Sequence, residues 1–186
     1  MFEITEQART LRDGRAVRFL KLLPEHAPAY RDYMLSVSGE SPWSGMVPEE
    51  VRSVEEQREL FAKPDEQGLT WRLGVCDESG ELVVGDCSMS RSDRVKFGHV
   101  ARLGIGIREG WRGAGLGRMM MEAAIEAARK DPAVLRLELL VFAKNEIARN
   151  LYRSVGFIEE GANVRSVRQP DGSFDDDVNM AMWVGD

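Results

Sequence analysis

At 186 residues, with 43% hydrophobic and 30% charged side chains, the chain has the size and make-up of a single globular domain that folds without metals or disulfides. A formal net charge of −6 and a sequence pI of about 5.1 disfavour a phosphate backbone, so no nucleic-acid partner is expected and a neutral or cationic small molecule is. Acids open the chain (Glu3, Glu6), no stretch approaches the ~20 apolar residues of a membrane span, and the only cysteines are Cys76 and Cys87; a cytoplasmic protein without membrane contacts is expected.

Residues 1–14 are polar and read as a loosely held lead-in to one domain over 15–184. Residues 16–22 alternate enough for a first strand, and Pro24 opens a helix to about Val37. The stretch 39–45 is loop chemistry around Trp43. Ser53-Val54-Glu55-Glu56 is a capping box, so a second helix starts there and ends near Pro64. Strands are expected over 70–76 and 82–89, joined by Asp77-Glu78-Ser79-Gly80. That hairpin sets Cys76 opposite Val83 and Cys87 opposite Arg72, so the thiols do not pair and read as core residues.

Residues 100–107 form a third long strand. A helix follows over 115–130, with Leu116, Met120, Ala123 and Ala127 spaced as an inward face. Residues 134–141 read as a central strand, and Asn145 caps a helix over 145–154. Segments 164–168 and 178–183 close the chain as a hairpin around Pro170-Asp171-Gly172. The expected fold is α/β (α+β): a mixed, mostly antiparallel sheet of 6–7 strands with about four helices.

The chemistry concentrates in Gly104-Ile105-Gly106-Ile107-Arg108-Glu109-Gly110-Trp111-Arg112-Gly113-Ala114-Gly115-Leu116-Gly117-Arg118, which runs from strand through a basic, glycine-rich turn into a helix. Glycines 113, 115 and 117 leave backbone N–H groups uncluttered, the helix start adds unpaired amides, and Arg112 and Arg118 add charged donors. That combination suits a pyrophosphate. No Gly-Lys-Ser/Thr ending makes it a Walker loop, and Arg118 and Met120 stand where a dinucleotide fingerprint needs its last glycine.

The run Arg112-Gly113-Ala114-Gly115-Leu116-Gly117 resembles the Arg/Gln-x-x-Gly-x-Gly/Ala signature of the GNAT (GCN5-related N-acetyltransferase) family. Independently, Asn145-Glu146-Ile147-Ala148-Arg149-Asn150-Leu151-Tyr152 followed by Gly156-Phe157 is similar to that family's Asn-x-x-Ala-x-x-Leu-Tyr-x-x-x-Gly-Phe block. The resemblance covers roughly residues 15–184 and is weakest between about 24 and 65. It implies a GNAT-like acyl-CoA N-acyltransferase fold, acetyl-CoA as co-substrate and no metal. By the same resemblance the strands at 100–107 and 134–141 splay apart around the pantetheine arm. Backbone groups of Ile105, Gly106 and Ile107 then bind the arm, one amide polarises the thioester carbonyl, and residues 112–118 take the diphosphate.

Transfer in the family is direct, within a ternary complex. Tyr152 is the expected general acid, a phenol able to protonate the departing thiolate. Asn145, seven residues and two helical turns earlier, serves the cofactor, the acceptor or only its helix cap. For the base, His99, Glu138 and Glu109 are candidates, and Glu138 shares a strand face with Arg136, which points to an ion pair. Glu40, Glu49, Glu50 and Asp175-Asp176-Asp177 are acids that could draw an ammonium or simply be solvated. A small-molecule amine is the expected acceptor. Peptide N-termini or lysines, transfer to oxygen or of longer acyl chains, and a non-catalytic acyl-CoA-binding module are the alternatives. A homodimer is expected by analogy only.

Overall fold

The computed structural model describes residues 4–65 and 68–185. Contacts cluster into two compact units, one built from the chain up to Ser88 together with Ile105–Met120, the other from Met89–Gly104 and the chain from Met121 onward.

In the first unit, β1 (Gln7–Thr10) pairs antiparallel with β2 (Ala16–Lys21), which pairs antiparallel with β3 (Thr70–Asp77). The segment expected as a lead-in thus supplies a strand, and Leu11 after it is 3% exposed. α1 (Ala27–Glu40) begins three residues later than expected, because Pro24–His26 forms a separate 3-10 turn. α2 (Val54–Ala62) starts on its capping box: Ser53 Oγ accepts from the Glu56 amide at 3.2 Å, and Glu56 accepts from the Ser53 amide at 2.8 Å. The Asp77 amide donates to the Leu82 carbonyl at 2.9 Å, closing the tight turn into β4 (Val83–Arg91) on the register read from sequence. Leu20, Leu22, Tyr33, Cys76 and Val83 form a core cluster under α1 and α2.

In the second unit, β5 (Val100–Ile107, which continues into the first) pairs parallel with β6 (Arg136–Phe142). That ladder covers only Val100–Arg102 against Arg136–Glu138. β6 pairs antiparallel with β8 (Phe174–Trp183), and β8 with β7 (Ile158–Arg168). The hydrogen-bonded order is β1-β2-β3-β4-β5-β6-β8-β7, eight strands against the 6–7 expected. α3 (Leu116–Lys130), whose residues up to Met120 belong to the first unit, buries Leu116, Met120, Met121, Ala124, Ile125 and Ala128, a face rotated from the one expected, leaving Ala123 and Ala127 at its margin. α4 (Glu146–Ser154) carries the second sequence block.

Candidate active site

In the first unit, β5 runs into the basic turn. The Arg108 amide donates to the Val84 carbonyl at 3.0 Å, so alternation turns the Gly106 backbone groups toward β4 and those of Ile105 and Ile107 toward the opposite edge. The Ile107 carbonyl accepts from Arg112 Nε at 2.9 Å, which ties the guanidinium to the strand end and leaves its two terminal nitrogens without a hydrogen bond among the described residues. Gly113 and Gly115 both hold positive φ, +79° and +92°, the left-handed region that only glycine enters cheaply. A Cβ at Gly113 would meet nothing within 4 Å, so the space beside this glycine, shortly before α3, is open.

Two arginines not singled out from sequence frame this turn. The Arg12 side chain lies against Gly115, 3.2 Å from the position of a Cβ there, while its amide donates to the Ala114 carbonyl at 3.0 Å. Arg15 donates to the Gly110 carbonyl at 2.9 Å and stacks over the Trp111 ring at 4.2 Å. The exposed Arg112 and Gly113, the buried Ala114 and the half-buried Gly115, Gly117 and Arg118 bring backbone amides and two guanidinium groups to one helix start, the Arg112 amide itself being taken by the Glu109 carbonyl at 3.0 Å. The residues present fit a diphosphate.

Beside this turn lies a group absent from the sequence reading. Asp86 on β4 accepts from Tyr33 Oη at 2.6 Å and from Tyr30 Oη at 3.0 Å, both reaching from α1. Gly106 makes room for it: a Cβ there would overlap the Tyr33 hydroxyl and stand 3.1 Å from Asp86 Oδ1. The glycine in β5 therefore answers to Tyr33 on this face. Burial pushes the Asp86 carboxyl above the usual carboxylate range, and the two tyrosine hydrogen bonds oppose that without cancelling it. Both tyrosines are pushed up by burial, then by the Asp86 charge.

In the second unit, Asn145 caps α4, its Oδ1 accepting from the Ala148 amide at 3.2 Å. Tyr152, two turns on, is 7% exposed with its ring 6.2 Å from that of Phe157. Glu138 is held by Arg136 at 3.0 Å and approached by Arg102 at 3.8 Å, the structural ion pair expected of it. His99 offers its backbone carbonyl to the amides of Leu135 and Arg136. Glu109 is exposed in a 3-10 turn of the first unit.

Four of the acids proposed to attract an ammonium have local partners. Asp175 is 8% exposed, paired with Lys144 and bonded by Gln169 at 2.7 Å, and Asp176 accepts from the Arg165 amide at 2.7 Å. Glu50 accepts from the Val47 amide and Glu40 from the Ser36 hydroxyl, while Glu49 is exposed. Cys76 and Cys87 are buried and unbonded; burial pushes Cys76 up to about 11 and holds Cys87 well above the usual thiol range, so neither is a ready thiolate. Among the described residues no group of three or more His, Cys, Asp or Glu could hold a metal, and no helix is long and apolar enough to cross a membrane.

A model of the acetyltransferase (GNAT) family matches residues 12–157. The chain is 29% identical over 126 residues to the L-amino acid N-acetyltransferase AaaT of Escherichia coli (strain K12), a match spanning 61% of this chain and 78% of that protein. Its fold is similar to that of an acetyltransferase of the GNAT family from Streptococcus pneumoniae, at a TM-score of 0.83 and 24% identity over 90% of this chain and 99% of the other. It is also similar to YncA of Salmonella typhimurium, solved with its cofactor acetyl-CoA, at a TM-score of 0.77 and 13% identity over 91% and 95% of the two chains.

Proposed function

The chain belongs to the acetyltransferase (GNAT) family and is an acetyl-CoA-dependent N-acetyltransferase; on that premise we propose that its acceptor is the primary amine of a small molecule, acetylated by direct attack in a ternary complex. The observation that carries the cofactor half of this reading is the pair of glycines at positive φ, Gly113 and Gly115, at the start of a 15-residue helix, the first with open space beside it and the second lined by Arg12. Arg112 and Arg118, with Arg12 beside them, supply the charge a diphosphate needs.

The chain's own residues then divide the work. Edge-facing amides of Ile105 and Ile107 hold the pantetheine arm, and one of them stabilises the oxyanion that forms as the amine adds, a role worth ~10²–10³ in rate. Tyr152 protonates the departing thiolate, for which its neutral phenol is suited at ordinary pH. Asn145 orders the first turn of α4 and so fixes Tyr152 two turns later. A small amine is supported by the amino-acid acetyltransferase among the relatives and by the net charge of −6.

Free thiol released from acetyl-CoA, measured across L-amino acids, polyamines, aminoglycosides and peptides, tests the proposal. Turnover with a small amine and little with peptides is expected. Coenzyme A binding without thiol release would leave the non-catalytic module, and turnover restricted to peptides would make the acceptor a protein terminus or lysine.

A further inference from the structure

The carboxylate of Asp86 stands out because it has no counter-ion. It is half-buried, both oxygens accept tyrosine hydroxyls, and no lysine, arginine or histidine lies within 4.0 Å of it among the described residues. A charge withdrawn from water without a cation is costly, and hydrogen bonds or an incoming cation offset that cost. The pairing of β4 with β5 sets Asp86 beside Gly106, one residue from the backbone groups of Ile105 and Ile107. Three features keep it there: Tyr33, fully buried at 0% exposure; Tyr30, packed edge-on against Phe61 at 5.2 Å; and a glycine where any side chain would expel the Tyr33 hydroxyl.

We propose that Asp86, held by Tyr30 and Tyr33, receives the acceptor's ammonium group and takes its first proton, serving as the general base of the transfer. This rests on the acetyltransferase reading above. The ammonium N–H bond breaks to Asp86 Oδ, leaving a neutral amine. The nitrogen lone pair forms the C–N bond at the thioester carbonyl carbon as the C–S bond breaks. The thiolate gains a proton from the general acid, which is restored by the second proton leaving nitrogen, and Asp86 returns its own to solvent. Burial strengthens the base by raising its affinity for the proton, while the two hydroxyls keep the ionised form accessible. The charged groups around the cluster are few. Arg72 on β3 and Arg52 ahead of α2 are near enough to draw the Tyr30 pKa down, and Asp32 on α1 is occupied by Arg108 at 2.7 Å. The neighbouring Cys87 thiol stays protonated.

The test compares wild type with Asp86→Asn and Tyr30→Phe, using the best acceptor found among L-amino acids and polyamines. For wild type, kcat/KM should rise through an acid limb set by Asp86. Asp86→Asn should lower kcat/KM at least ~100-fold at neutral pH. Its profile should become a line climbing tenfold per pH unit toward the amine's own pKa, because only free amine then reacts. Tyr30→Phe removes one bond to the ionised form and should move the acid limb up by roughly half to one pH unit. Coenzyme A affinity should be unchanged in both. If Asp86→Asn does not fold, the Tyr30→Phe limb decides: an unmoved limb overturns the proposal, as does an Asp86→Asn enzyme with the wild-type rate and profile. Wild type that binds coenzyme A but acetylates no amine would overturn the transferase reading and this one together; active wild type with indifferent variants overturns this one alone.

Discussion

Replacing Gly106 by alanine tests the packing that holds Asp86. The new Cβ would overlap the Tyr33 hydroxyl, with Tyr33 Cζ at 3.5 Å and Asp86 Oδ1 at 3.1 Å. Tyr33 is fully buried and cannot swing aside, and β5 is tied to β4 by backbone bonds. Overpacking costs about 1–3 kcal/mol and the lost hydrogen bond to a charged group about 1.5–3 kcal/mol, offset by under ~1 kcal/mol from the stiffer unfolded chain. The net is roughly 3–4 kcal/mol, or a fall in Tm of about 10 °C for a chain of this size. Tyr33→Phe alone should cost about 1.5–3 kcal/mol, the hydrogen bond without the clash. The double variant carries the prediction: with the hydroxyl gone the nearest Tyr33 atom is at ordinary contact distance and only the 3.1 Å approach to Asp86 Oδ1 remains, so Gly106→Ala should cost much less on top of Tyr33→Phe than in the wild type. Thermal melts of the four proteins read this directly. Additive losses would mean that Gly106 is not there to admit the tyrosine.

Other perturbations separate chemistry from architecture. Tyr152→Phe should lower turnover ~10²-fold or more while calorimetric affinity for coenzyme A stays within a factor of about two; an unchanged rate removes Tyr152 from the mechanism. Asn145→Ala should cost about 1 kcal/mol of stability by uncapping α4, and Asn145→Asp, which restores the cap, should recover both Tm and rate if the cap is the residue's whole role; recovered stability without rate would assign Asn145 to a ligand. Asp86 binds its proton more tightly folded than unfolded, so its charge costs stability above the folded pKa and that cost fades as pH falls toward the usual carboxylate range. Asp86→Asn should therefore raise Tm at pH 7–8 and lose that advantage near pH 4, read by melts across pH; a constant offset would contradict the shift.

What the sequence made legible follows where side-chain pattern meets a buried face. β5, β3 and the Ser53 and Asn145 caps were readable because alternation and capping chemistry act over a few residues. The edge strands were not. β1 was missed and β7 begins at Ile158 rather than 164, since both are exposed almost throughout and carry no alternation to read. α3 showed its period but not its phase, because Met121 and Ile125 take inward positions and leave Ala123 and Ala127 at the margin. The glycine turn stood out from composition alone as a candidate anion site, yet Arg12 reaches it from about a hundred residues away. Asp86 is the same case: a lone acid amid the apolar run Val83-Val84-Gly85-Asp86-Cys87 was a visible irregularity, and Tyr30 and Tyr33 are three apart on one helix face, but their meeting is tertiary.

The central claim is that the turn before α3 holds the diphosphate of coenzyme A, and calorimetric titration of the purified protein with that molecule addresses it most directly. One saturable site per chain is predicted, abolished by Gly113→Glu, which sets a carboxylate among the amides. No heat at millimolar cofactor, or an unaltered affinity in the variant, would contradict it.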